Sequence, residues 1–332
     1  MKVFHSNPFF KPTQLHSILT KRVSERKVVY IQALKVCDYG RFLLGIEKTV
    51  EKAALEILRQ AVIYLPRDVK EALNSAYENE TSEAGKTQLK AILDNIDLGE
   101  SRKTPICQDT GVVLFYVTVG RNFGDCSFIP DVLSAAVRTA TTEVPLRHNA
   151  VHPITRKNSG DNTGTNMPYI NWDVDDGDYI ELTVMPKGAG SENMSSFAML
   201  RPAEGVSALK RFVIDQVIKA GAQPCPPTVV GIGVGGSADI ALKLAKKALL
   251  RPINVRHPET EIADLERTLL GAINMTGIGP MGLGGTFTSL GVNMEYAYCH
   301  IASLPVGLNM QCWAARRATA RIHRNGTVKI MS

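Results

Sequence analysis

Apolar positions recur at spacings of three and four through "IEKTVEKAALEILRQAVIYL" (46–65). A helix with one face turned to a core is the predicted element. "PRDVKEALNSAYENE" (66–80) follows with Pro66 at a first-turn position, and "TSEAGKTQLKAILDNIDL" (81–98) continues the same periodicity. Two or three helices are therefore expected before Asp109. The pattern then changes. "VVLFYVTVG" (112–120) and "DYIELTVMPKG" (178–188) are short runs rich in Val, Ile, Tyr and Thr, bounded by Gly, Asp and Pro, as strands are. Helical spacing returns in "EGVSALKRFVIDQVIKAG", "SADIALKLAKKALL" and "PETEIADLERTLLGAINMTG". The expected fold class is α/β, with a helical N-terminal part followed by a mixed α/β domain.

Glycine punctuates the third quarter in "KGAGSEN" (187–193), "GIGVGG" (231–236) and "GIGPMGLGG" (277–285). Such runs bring backbone close to a ligand or to another backbone. Gly231, Gly233 and Gly236 satisfy G-x-G-x-x-G between a strand and a helix, which would suit a nucleotide-binding module. That fingerprint needs a second strand ending in an acid about 20 residues on. Instead the chain runs through "LLRPINVRHPETE", where Pro252 and Pro258 bracket a loop. Close strand-to-helix packing explains the glycines with fewer requirements.

Composition changes this picture little. Apolar residues make up 44% and charged residues 21% of 332, ordinary globular values, and no apolar run approaches the ~20 residues that span a bilayer. The net charge of +6 is local: residues 1–48 hold nine of the 38 Lys and Arg but three of the 32 Asp and Glu, so the remaining 29 of each sign cancel. A neutral body argues against nucleic acid as a partner. Residues 1–45 read as a basic leader or poorly ordered extension without a secretory h-region. Six scattered cysteines without a secretory signal suit reduced thiols in a cytoplasmic protein.

Cys107 stands beside an amide and an acid in "KTPICQDTG", with no CxxC or HxxxH partner within ten residues. Cys225 is held between Pro224 and Pro226 in "QPCPP", and Cys312 lies in "NMQCW". Three distant thiolates suit an iron-sulfur cluster short of one protein ligand better than structural zinc, which takes four. Inert buried thiols are the simpler alternative.

The strings "PICQDTG", "PLRHNAVHP", "MPKGAGSENMS", "PCPP", "GLGG" and "HIASLPVGLNMQCWAARRAT" together resemble the α subunit of class I iron-sulfur fumarate hydratases and their L(+)-tartrate dehydratase relatives. The resemblance covers about residues 46–323 and leaves 324–332 as a tail. It implies a 4Fe-4S cluster with one open iron site, held by Cys107, Cys225 and Cys312, while Cys37, Cys126 and Cys299 match no ligand. It also implies catalytic roles for Asp109 and His300 and substrate contacts from Gln108, Arg147 and Gly190. A dicarboxylate needs such donors, because a desolvated, unpaired carboxylate is costly. Without the resemblance, Asp109 caps a turn, Arg147 sits in a solvated ion pair and His300 is a satisfied core histidine. Lys187, Glu192, Arg316 and Arg317 read as shell or interface groups.

Single-chain members of the family continue into a second domain with a "KGTS"-type threonine base, which is not matched here through Ser332. The resemblance therefore implies a separate β subunit in a hetero-oligomer. The implied activity is the tricarboxylic acid cycle hydration of fumarate to (S)-malate, with L(+)-tartrate as the alternative small dicarboxylate substrate.

Overall fold

A computed structural model describes residues 45–331 of the chain. The expected leader lies outside them but for Gly45, and so does Cys37. Residues Thr49–Ser332 form one compact unit.

Three helices come first, as their periodicity predicts. The chain is helical over 45–63 (α1), then over Arg67–Asn79 (α2) and Glu83–Arg102 (α3). Pro66 precedes α2, whose Val69, Leu73 and Ala76 share one buried face. Ser82 caps α3 by accepting from the Gly85 N–H at 3.2 Å. That helix stops where Lys103 turns left-handed, with φ 54°.

Two mixed sheets follow. The first has the order β2-β1-β3-β8-β9, built from β1 (Val112–Gly120), β2 (Tyr169–Asp175), β3 (Tyr179–Lys187), β8 (Ala318–His323) and β9 (Val328–Met331). Only β1 and β2 run parallel in it. Residues 328–331, within the stretch read from the sequence as a tail, form an edge strand bonded to β8. The second sheet has the order β4-β7-β5-β6, from β4 (Ser196–Leu200), β5 (Thr228–Gly235), β6 (Ser289–Ala297) and β7 (Leu304–Gln311). There β5 runs parallel to β6 and antiparallel to β7.

Four longer helices and one short turn complete the unit: α4 (Ile129–Glu143), α5 (Ala189–Glu192), α6 (Gly205–Ala220), α7 (Ala238–Ala248) and α8 (Thr260–Asn274). Val213 and Val217 of α6 and Leu269 and Ile273 of α8 pack with Val230, Ile232, Val292 and Leu308 of the second sheet. Burying side chains of this size contributes about 1.5–3 kcal/mol each. Helix α7 lies against β5 through the glycines of "GIGVGG". A Cβ on Gly231 would stand 2.1 Å from the Ala245 carbonyl oxygen, and one on Gly233 would stand 2.0 Å from that of Ala241. The glycines are filled by helix backbone, which accounts for the motif without a nucleotide. A second core joins α2 and α3 to the starts of β1 and β5 and to the segment after β7, through Leu73, Leu89, Ile96, Leu114, Val229 and Ala314. Among the described residues, no helix is long and apolar enough to cross a membrane.

Candidate active site

Strand register brings the three cysteine segments to one end of the molecule. In the second sheet Val229 pairs with Gln311, so the segment entering β5 lies beside the segment leaving β7. Cys225 and Cys312 occupy those two segments, and the Trp313 N–H donates to the Cys225 carbonyl at 3.2 Å. In the first sheet Val112 pairs with Lys187, and Val184 pairs with Ala318. The start of β1, the end of β3 and the start of β8 therefore share an edge. Residues 312–317 run from one sheet to the other, and Cys107 lies on the loop entering β1.

Each cysteine segment is anchored by its backbone. The Ile106 N–H donates to the Val62 carbonyl at 3.0 Å, while the Asn95 amide donates to the Ile106 carbonyl at 2.8 Å. Cys225 has φ 54°, a left-handed conformation uncommon for a residue with a Cβ. The surroundings hold it there: its N–H donates to Ala222, and its neighbours Pro224, Pro226 and Pro227 are buried. Strain retained in this way is a mark of functional positions.

All three cysteines are free, and each residue is partly buried. Burial pushes the Cys225 thiol up, and Cys107 pushes it further. Burial also raises the Cys312 thiol, with Arg316 opposing and Cys107 and Cys225 adding to the rise. The three thiols thus lie close enough to act on one another's charge. Among the described residues, no three His, Cys, Asp or Glu side chains have the spacing that holds a single metal ion. A cluster asks for a different spacing, because each cysteine ligates its own iron. The donor set of three free thiols fits such a group.

Asp109 ties the Cys107 loop to its neighbours. Its Oδ1 accepts from the Gly111 N–H at 2.9 Å and from the Asn149 amide at 3.1 Å, and its Oδ2 accepts from the Ala189 N–H at 2.8 Å. A carboxylate has about four acceptor positions, so one remains free. Cys107, Gln108 and Arg147 line one cavity of about 450 Å³ with Pro105, Thr110, Pro145 and Leu146. Gln108 and Arg147 are exposed, with side chains open to that space. The Arg147 backbone is fixed from both sides, its N–H donating to Thr110 Oγ1 at 3.0 Å and its carbonyl accepting from the Asn162 amide at 3.1 Å. Asn162, buried and left-handed with φ 61°, also accepts from the Asn149 and Ala150 N–H groups.

These elements match a family. The sequence profile of "Fumarate hydratase (Fumerase)" matches residues 51–321. The chain is 52% identical over 277 residues, covering 82% of it and 97% of the relative, to a Methanocaldococcus jannaschii protein named "Putative L(+)-tartrate dehydratase subunit alpha". It is 38% identical over 269 residues to the L(+)-tartrate dehydratase subunit alpha of Escherichia coli strain UTI89, covering 81% of the chain and 89% of the relative. The chain belongs to the fumarate hydratase family. It is a hydro-lyase.

Not every residue singled out in the sequence of this fumarate hydratase family member joins the group. Gly190 does, through α5, where a Cβ would stand 3.3 Å from the Gln223 carbonyl oxygen, two residues from Cys225. His300 does not join it within one chain. It lies between β6 and β7, and the eight residues of β7 at roughly 3.3 Å each separate it from Cys312 by about 25 Å. There it lines an apolar cavity of about 440 Å³ with Tyr296, Cys299 and Leu304, and its Nδ1 accepts from the Ala302 N–H at 3.1 Å. It is an exposed loop residue and not a core histidine.

Two of the groups read from the sequence as shell or interface residues shape the site from within. Lys187 is fully buried, donates to Ser191 Oγ at 2.8 Å and pairs with Glu192 at 3.3 Å. Burial lowers its ammonium to about 8 against the pull of Glu192. Burial works to raise Glu192, but Lys246, Lys187 and Asn309 outweigh it and hold the carboxyl below the usual carboxylate range. Asn149 and Asn162, inside and beyond "PLRHNAVHP", had only the turn-forming tendency of asparagine to mark them.

Proposed function

We propose that this chain is the α subunit of a cytoplasmic iron-sulfur hydro-lyase that interconverts fumarate and (S)-malate with a separate β subunit. The observation that carries the reading is the convergence of Cys107, Cys225 and Cys312 from two sheets, with Gln108 and Arg147 on the cavity beside Cys107. Cys107, Cys225 and Cys312 would hold a 4Fe-4S cluster. Such a cluster, when bound, supplies a Lewis-acid iron for the hydroxyl that is added or lost.

The chain's own residues do the rest on this side of the pocket. Arg147 offers a planar fork of donors to one substrate carboxylate, and Gln108 offers an amide donor. Gly190, exposed on α5, lets backbone approach the substrate without a side chain between them. Asp109 keeps the Cys107 loop and the 188–189 turn in one geometry, and its remaining acceptor position can receive a proton. His300 has no part in this site within a single chain. The names of the relatives support a partner subunit, since each is a subunit alpha.

A second reading has its own support. The relatives are named for L(+)-tartrate, which differs from malate by one further hydroxyl. The test is anaerobic reconstitution of the chain with iron and sulfide, alone and with its β subunit, followed by assays on fumarate, malate and tartrate. Turnover of fumarate and malate that needs the β subunit supports the first reading. Turnover confined to tartrate replaces it with the second, and full turnover by the chain alone removes the two-subunit mechanism.

A further inference from the structure

Two cations are buried beside Cys312, and only one of them is compensated. Lys187 has Ser191 and Glu192. Arg316 is 2% exposed, and among the described residues it forms no ion pair and its Nε and Nη1 have no hydrogen-bond partner. A guanidinium cannot escape the cost of burial by losing its proton. A buried, unpaired charge is therefore among the most destabilising features a fold can carry.

Its position says what the missing counter-charge is near. Arg316 sits four residues after Cys312 and acts electrostatically on that thiol. Its Nη2 converges with Asp109 on Gly188: a Cβ there would stand 3.1 Å from Asp109 Oδ2 and 3.4 Å from Arg316 Nη2. The adjacent Arg317 provides the contrast, since its Nη2 pairs with both carboxylate oxygens of Asp68 at 2.7 Å.

We propose that Arg316 is the counter-charge of the cluster, donating hydrogen bonds and positive charge to the anionic sulfur of the group held by Cys107, Cys225 and Cys312. The inference rests on the cluster reading above. It makes Arg316 a positioning residue that acts through the cluster and not on substrate. Hydrogen bonds to sulfur and local net charge are the levers by which a protein sets the potential and retention of such a group.

The experiment uses the full chain, reconstituted anaerobically, as wild type, Arg316→Met, Arg316→Lys and Cys225→Ser. Iron and acid-labile sulfide are counted, iron loss to a chelator is timed, and the reduction midpoint is read by electron paramagnetic resonance. Wild type takes up iron and sulfide and Cys225→Ser does not. Arg316→Met loses iron at least tenfold faster. Its reduction equilibrium becomes at least tenfold less favourable, about 59 mV lower for one electron, because a positive charge has gone. Arg316→Lys keeps that charge and returns the equilibrium to within about threefold of wild type, the nearer to it the more of the effect is charge. The cluster-free Arg316→Met protein melts no lower than cluster-free wild type, because its burden was an unpaired charge. Wild-type iron retention and midpoint in Arg316→Met would overturn the proposal, as would a cluster-free Arg316→Met that melts well below wild type. If wild type itself binds no iron and sulfide, the cluster reading has failed and this inference falls with it.

Discussion

Replacing Asp109 with Asn tests the chemistry of the site most sharply, because the exchange keeps the shape of the side chain but not its hydrogen bonding. The carboxylate accepts from three donors, at 2.9 and 3.1 Å on Oδ1 and 2.8 Å on Oδ2. An amide has one acceptor oxygen. If that oxygen faces Gly111 and Asn149, the amide NH2 faces the Ala189 N–H, donor against donor. If it is flipped, two donors are opposed. The better orientation loses one hydrogen bond to a charged group, worth about 1.5–3 kcal/mol. Loss of a general acid-base group costs about 100-fold or more in turnover, which at about 1.4 kcal/mol per tenfold is at least about 2.8 kcal/mol. The two effects have similar size, so a rate alone cannot separate proton transfer from positioning. The pH profile can. With the β subunit present and the iron content equal to wild type, Asp109→Asn is expected to lose at least about 100-fold in kcat and to flatten one limb of the kcat profile. Asn149→Ala, which removes one donor and leaves the carboxylate, keeps both limbs. An Asp109→Asn enzyme with both limbs intact would reduce Asp109 to the loop tie its hydrogen bonds describe, and wild-type turnover would refute both roles.

Cys107→Ser, Cys225→Ser and Cys312→Ser should each abolish stable iron and sulfide uptake, whereas Cys126→Ser and Cys299→Ser leave it near wild type; full iron in Cys225→Ser would remove the ligand assignment. Gly233→Ala forces a Cβ to 2.0 Å from the Ala241 carbonyl oxygen, so the variant should lose about 3 kcal/mol in denaturant melts, and wild-type stability would contradict the packing of α7. Glu80 gives an acid-side signature. Burial works to raise its carboxyl, but N–H groups of Ser82, Thr286, Phe287 and Thr81 outweigh it and lower the group below its ordinary value. A depressed carboxyl contributes stability above its unfolded pKa of about 4.3 that is lost as pH falls through the lower folded value. Glu80→Gln should therefore destabilise at neutral pH and flatten the stability curve below about pH 4.3; an unchanged acid limb would show that the loop is held by other bonds.

Local periodicity made much of the fold legible. The three leading helices, β1, β3 and helices α6 to α8 are carried by side chains that repeat every two or every three to four residues, because each buries one face. Strands β6, β7 and β8 went unread although each buries several residues, and so did β2, β4 and β9, which bury none. Strand β2, "YINWDVD", has no buried residue, and β9 has none either. Backbone bonds to β1 and β8 hold them. A sheet edge leaves little periodic record in its sequence.

The site divides in the same way. Residue type and neighbours singled out Cys107, Cys225 and Cys312, because a thiol beside an acid, or locked between prolines, is legible over a few residues. Their convergence is a matter of register: Val229 opposite Gln311 joins two of the segments, and the crossing from β7 to β8 brings in the edge that carries Asp109 and Gly188. The same register sets His300 apart from them within one chain, since a strand that ends at the cysteines must begin at the far side of its sheet. Arg316 and Arg317 are chemically identical neighbours in the sequence. One finds Asp68, on a helix far earlier in the chain, and the other pairs with no carboxylate among the described residues. Charge compensation depends on distances of a few ångströms between segments remote in the chain, and only the packed structure sets those distances.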